Sequence, residues 1–121
     1  MIVAWKETDI NDIIDCLTEL MYTEHQLEPS RLDSREAAKK YFIQVEKKVK
    51  EQGGQIFLSK KDTATTGVLI VYPEQNEIFE EAGRHLAIAD IVVKAAFRKS
   101  GIGTALMKQA EIFAREKGLK E

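Results

Sequence analysis

Ile88-Ala89-Asp90-Ile91-Val92-Val93-Lys94-Ala95-Ala96-Phe97-Arg98-Lys99-Ser100-Gly101-Ile102-Gly103-Thr104-Ala105-Leu106-Met107 is the stretch of this 121-residue chain on which the fold turns. An apolar run ends at Val93, a short basic turn follows, and Gly101 and Gly103 open a helical pattern. That order sets the first turn of a helix at the end of a strand. The first N–H groups of a helix have no partners within it. With the helix dipole they favour an anion by roughly 0.3–1 kcal/mol when exposed. Glycines lack a Cβ, so a phosphate can approach the backbone closely. Arg98 and Lys99 add positive charge at the same turn. The natural ligand of such a turn is a pyrophosphate, although a tight strand-to-helix connection would use the same two glycines. Two other phosphate patterns do not fit. No Gly-x-x-x-x-Gly-Lys-Ser/Thr run occurs, and Leu106 stands where a Gly-x-Gly-x-x-Gly fingerprint needs its third glycine. The segment also comes after several other elements, not at the first strand turn of a dinucleotide fold.

Beyond Gly103 the apolar residues Ile102, Leu106, Ala110 and Phe113 share one face of a helix over 102–117, and Gly118 stands where a glycine stop belongs. Before the turn, 86–93 reads as a strand, preceded by an acidic loop over 73–85. Gln55–Lys60 and Thr66–Tyr72 are two further strands, and the polar 61–65 between them predicts a hairpin. Ala38, Tyr41, Phe42, Val45 and Val49 mark an amphipathic helix, with Ser34 as its N-cap and Gly53-Gly54 as its stop. An earlier helix carries Ile10, Ile13, Ile14, Leu17, Leu20 and Met21, with Thr8 or Asp9 as its cap. Residues 22–33 contain Pro29, lose the period and read as a loop, and residues 2–6 read as a short strand. The order strand, helix, helix, strand, strand, strand, helix predicts an α/β or α+β domain, helices packed on a sheet. No repeat, low-complexity tract or linker interrupts it, so residues 1–121 form a single domain.

Hydrophobic residues make up 44% of the chain and charged residues 31%, which suits a globular core. The formal net charge of -2 gives no basic excess for nucleic acid or an anionic membrane. Basic residues gather only locally, at Lys94, Arg98 and Lys99. The single cysteine, Cys16, excludes an internal disulfide framework and a cysteine metal cage, and it falls on the apolar face of its helix. No metal site is expected. A reducing, cytoplasmic setting is expected, since the opening residues 1–9 lack a charged-then-apolar leader.

Arg98-Lys99-Ser100-Gly101-Ile102-Gly103 matches the Arg/Gln-x-x-Gly-x-Gly/Ala signature of the GCN5-related N-acetyltransferases. Asp90-Ile91-Val92-Val93 upstream resembles that family's fourth strand, and 104–118 downstream resembles its third helix. The element order from residue 1 is similar too. The resemblance implies an acyl-CoA N-acyltransferase-like fold, with a mixed, mostly antiparallel sheet and flanking helices. It also implies that the strand, helix and strands following the third helix in the family lie outside these 121 residues. The implied activity is acetyl transfer from acetyl-coenzyme A, as co-substrate, to a primary amine of a small molecule or peptide. By the same resemblance, the backbone of Ile91, Val92 and Val93 would pair with the pantetheine arm. The N–H groups of Lys99, Ser100, Gly101, Ile102, Gly103 and Thr104 would hold the pyrophosphate. Arg98 would anchor the turn or screen phosphate charge.

Catalytic groups are harder to place. Many family members carry a glutamate base on the fourth strand where this chain has Ala89. Asp90 and His85 are the candidates left. Strict alternation along a strand would turn Asp90 to the face opposite Ala89, and only a bulge would change that. No tyrosine matches the family's acid, which lies beyond the third helix. Relatives shape the acceptor site with the segments that correspond here to 22–33 and 73–85, both rich in glutamates that would attract a cationic amine. Two readings stay open: a working acetyltransferase, or a non-catalytic coenzyme A-binding fragment. In either, 86–93 would be an apolar sheet edge, so a homodimer or an exchanged element is expected.

Overall fold

The computed structural model describes residues 1–27, 34–75 and 84–119. Four strands form one antiparallel sheet in sequence order: β1 (Ile2–Ala4), β2 (Gln55–Lys61), β3 (Ala64–Gln75) and β4 (Arg84–Val93). Three helices cover it: α1 (Ile10–Leu27), α2 (Arg35–Gln52) and α3 (Ile102–Glu116).

The need for helices on both faces is written in β3. Val68, Leu69, Ile70 and Val71 are all fully buried, although successive side chains point to opposite sides of a strand. Val68 and Ile70 join Ile13 and Leu17 of α1 and Ala38, Phe42 and Val45 of α2 in one core. Leu69 and Val71 join Leu106, Ala110 and Phe113 of α3 in a second core on the other face. Trp5 meets Phe42 edge-on, with ring centroids 5.7 Å apart. Gly67 on β3 lies close against both β4 and α3. A Cβ there would lie 2.7 Å from the Val92 carbonyl oxygen and 3.2 Å from Leu106 Cδ1. Its absence lets the start of α3 settle against the end of β4.

Local signals set most boundaries. The Ser34 side chain accepts a hydrogen bond from the Ala37 N–H at 3.0 Å, and Gly53 ends α2 with φ 76°. Asp9, not Thr8, closes the entry to α1: its carboxylate accepts the Lys6 N–H at 2.8 Å and the Lys60 ammonium at 2.8 Å. The β2–β3 turn narrows to Asp62-Thr63, with Asp62 at φ 58°.

Three expectations change. Residues 22–27 continue α1 instead of forming a loop. They lose the apolar period because few of their side chains are buried: Tyr22 and Leu27 are 56% and 84% exposed. Pro73 does not end β3, which runs on to Gln75. The β2 ladder stops at the Gln55–Val71 pair, so Pro73 stands at a local sheet edge where a missing N–H is tolerated. Arg84 and His85 belong to β4, opposite Gln75 and Glu74. The rest of the expected acidic loop, 76–83, and positions 28–33 lie outside the described residues. No helix among the described residues is long and apolar enough to cross a membrane.

Candidate active site

Strand β4 delivers the chain into the glycine turn. The Lys94 N–H still bonds to Thr66 O at 2.9 Å, and a single 3-10 turn, Ala95–Phe97, follows. Arg98 donates from Nε to the Val93 carbonyl at 3.2 Å, so it ties the turn back to the strand end. Its other side faces Glu19 of α1, 3.8 Å from Nη2, and Glu19 also accepts the Ala95 N–H. The Ser100 hydroxyl donates to the Phe97 carbonyl. Lys99 (φ 66°) and Gly101 (φ 83°) adopt left-handed backbone, which reverses the chain and aims the start of α3 outward.

No side chain caps α3 and its first turn holds no acidic residue, whereas Ser34 caps α2. The first intrahelical bond runs from the Ala105 N–H to Gly101 O at 3.0 Å, so Ile102, Gly103 and Thr104 keep N–H groups that the helix does not use. A Cβ on Gly101 would meet no protein atom within 4 Å. Open space, orphan donors, positive dipole end and a flanking Arg98 and Lys99 suit a diphosphate.

The outer edge of β4 has no strand partner among the described residues. Along its first half, Leu86 and Ile88 form with Met107, Ala110 and Glu111 an apolar cleft of ≈ 180 Å³. Along its second half, Ile91 and Val93 pack toward α3 and Val92 toward α1 and α2, which leaves the edge backbone for an extended ligand.

Between the halves lies a bulge. Ile70 pairs with Asp90 and Val71 with Ile88, so Ala89 has no partner in β3. The extra residue breaks the alternation expected from sequence. Ala89 and Asp90 therefore open into the same cleft, on the α1–α2 face, instead of pointing to opposite sides. That cleft has a volume of ≈ 300 Å³ and is lined by Leu17, Leu20, Met21, Glu24, Tyr41, Ala89 and Asp90.

In it the Tyr41 hydroxyl donates to Asp90 Oδ2 at 2.6 Å. Burial pushes the Asp90 carboxyl up to about 6; the Tyr41 hydrogen bond opposes that rise and Glu24 adds to it. Burial, with Asp90 beside it, pushes Tyr41 well above the ordinary phenol range, so Tyr41 stays a donor. His85 stands apart: its Nε2 lies 3.9 Å from Glu74 Oε2, and it does not line the cleft. Cys16 is buried, which pushes its thiol up to about 12 and makes it a poor nucleophile. Tyr41 was legible only as a core position of α2. Its hydroxyl, which needs a partner when buried, was the available signal.

The acetyltransferase (GNAT) family profile matches residues 14–121. No curated protein matches the chain closely. Among solved structures, the aminoglycoside antibiotic 6'-N-acetyltransferase of Acinetobacter haemolyticus is 20% identical with a TM-score of 0.73, the match covering 100% of this chain and 75% of that one. A predicted acetyltransferase of Clostridium acetobutylicum, solved with acetyl-CoA, is 14% identical with a TM-score of 0.71, covering 100% and 77%. A GNAT-family acetyltransferase of Staphylococcus aureus Mu50 is 16% identical with a TM-score of 0.72, covering 98% and 68%. At these identities the structures speak to the fold, which is the same, while the profile spans nearly the whole sequence: the chain belongs to the acetyltransferase (GNAT) family.

Proposed function

We propose that this chain transfers an acetyl group from acetyl-coenzyme A to a primary amine of a small molecule or peptide. The observation that carries this is the convergence on β4. One strand offers an open edge over Ile91–Val93, runs into the uncapped start of α3, and presents Asp90 to a cleft on its other face. The similar structure solved with acetyl-CoA supports the choice of acyl donor.

The division of labour follows from the geometry. The N–H groups from Lys99 to Thr104 hold the diphosphate, and Arg98 keeps their turn fixed to the strand. The β4 edge aligns the pantetheine arm toward the bulge. Asp90 accepts the proton that the amine sheds as its nitrogen bonds to the acetyl carbon and the carbon–sulfur bond breaks; the sulfur takes a proton from water, and the hydroxide left behind takes the proton from Asp90, which restores the carboxylate. A carboxylate held near pH 6 is a better base at neutral pH than an ordinary aspartate, because its conjugate acid is weaker.

Calorimetric titration with acetyl-CoA, then thiol release with a panel of amines, tests the proposal. Micromolar binding and turnover of at least one amine are expected. No binding would refute it, and binding without turnover on any amine would leave a non-catalytic coenzyme A-binding protein.

Assembly belongs to the same proposal. The edge over 84–88, beside the cleft of Leu86, Ile88 and Met107, pairs with a second copy, while Ile91–Val93 stays open to the acyl donor. Light scattering after size exclusion should give a dimer at micromolar concentration; a stable monomer would count against it.

A further inference from the structure

Glu19 belongs to α1, yet it reaches the turn that follows β4. Its carboxylate accepts the Ala95 N–H and lies 3.8 Å from Arg98 Nη2. These two contacts bracket the 3-10 turn Ala95–Phe97, which leads into the glycine turn. Arg98 also donates from Nε to the Val93 carbonyl at 3.2 Å, so one guanidinium joins the strand end to α1.

The turn needs such ties. No residue from 94 to 101 is buried, so apolar packing contributes little to its shape. The Phe97 N–H bonds to Lys94 O at 2.9 Å, and the Ser100 hydroxyl bonds to the Phe97 carbonyl. Both bonds are local: they curl the turn without setting where it stands against the rest of the protein. Helix α1 is a firm reference, because Ile13, Ile14, Cys16 and Leu17 are buried in the core. The Glu19 bond to Ala95 spans 76 positions and carries that reference to the turn. Charge alone would argue against a carboxylate here, since it offsets part of Arg98 and repels a diphosphate. What Glu19 contributes is position. Donors that already stand in place when the ligand arrives spare the binding step the cost of ordering them.

We infer that Glu19 is a positioning residue for the acyl donor: by holding Ala95 and Arg98 to α1, it presets the turn over 99–104 that receives the diphosphate. This rests on the acetyl-coenzyme A binding proposed above, and it assigns the group that shapes that site.

The test compares Glu19→Ala with Glu19→Gln, by calorimetry with acetyl-CoA, by thiol release and by amide hydrogen exchange of the free protein. Alanine favours helix, so α1 should persist in the first variant. Glu19→Ala should weaken acetyl-CoA binding by about three- to tenfold, the range for one lost hydrogen bond. KM for acetyl-CoA should rise by the same factor with kcat little changed. Glu19→Gln keeps an acceptor for Ala95 and drops the charge, so it should bind at least as tightly as the parent at low salt. Exchange should speed up in Glu19→Ala at Ala95 and also at Phe97, whose N–H does not touch Glu19, and should stay at the parent level in Glu19→Gln. Glu19→Gln binding as weakly as Glu19→Ala would make the role one of charge and overturn the inference. So would parent-level binding in Glu19→Ala, or a fall in kcat with KM unchanged. A parent that binds no acetyl-CoA would remove the proposed function, and exchange would then decide alone: faster Phe97 exchange in Glu19→Ala, restored in Glu19→Gln, keeps Glu19 as the anchor of the turn, and equal exchange in all three removes it.

Discussion

Gly101→Glu should weaken acetyl-CoA binding by at least about a hundredfold, ~3 kcal/mol for an added charge close to a diphosphate at an effective dielectric near 20. Three features of the position lead there. Gly101 sits at φ 83°, where a side-chain-bearing residue is strained by roughly 1–2 kcal/mol. No protein atom stands within 4 Å of where its Cβ would be, so the new side chain fills the space above the turn without disturbing the core. A carboxylate there also meets the positive end of α3, an interaction of about 0.3–1 kcal/mol that offsets part of the strain. The folded protein should therefore survive, with a melting temperature within a few degrees of the parent, while the site is blocked and made acidic. Gly101→Ala, which adds strain without charge, should show a distinctly smaller loss. Calorimetry on both variants separates the two effects. Unchanged binding in Gly101→Glu would mean that the diphosphate is held elsewhere.

Asp90→Asn should lower kcat by about a hundredfold or more at pH 7, the usual range for loss of a general base, with KM for acetyl-CoA little changed. The parent rate should climb with pH through about 6, where Asp90 loses its proton, and level off above it. Asp90→Asn should lose that step. Tyr41→Phe removes the hydrogen bond that holds Asp90 down, so the step should move to higher pH. An activity–pH profile that keeps the same step in both variants would remove Asp90 from the mechanism. Stability supplies an independent readout with a definite sign. The Asp90 carboxyl titrates near 3.8 when unfolded and near 6 when folded. Between those values the folded state binds more protons than the unfolded state, so stability falls as pH rises across the window and stays lower above it. Asparagine keeps an acceptor for Tyr41 and carries no charge. Asp90→Asn should accordingly be more stable than the parent at pH 7 by about 1 kcal/mol, after allowing for the partial exposure of the group. A base that slightly destabilises its own fold is the pattern of a residue kept for activity.

Much of this protein can be read directly from residue order. Period and punctuation placed α2 between Ser34 and Gly53, placed α3 from Ile102 with Gly118 behind it, and predicted the β2–β3 hairpin. These features are local: a cap bonds within three residues, a glycine takes positive φ where the chain must reverse, and apolar spacing repeats within one element. The anion turn is legible for the same reason, since its donors, its glycines and its arginine lie within seven consecutive residues, Arg98–Thr104. The family signature rests on that contiguity.

The cleft is different because it is assembled from α1, α2 and β4. Glu24 looked like a loop residue, since residues 22–33 lose the apolar period, yet it lies on α1 and lines the cleft. Tyr41 looked like core, and its bond to Asp90 spans 49 positions. Most of all, alternation assigned Ala89 and Asp90 to opposite faces, and one unpaired residue in the ladder brought them together. A bulge is a mismatch between two strands, so neither strand's sequence contains it alone. What the sequence by itself determined was the helices, the hairpin and the phosphate turn, whose interactions close over a few residues; what only the tertiary structure decided was where Asp90 points and what surrounds it, because pairing register and cross-helix contacts exist only once the sheet has formed.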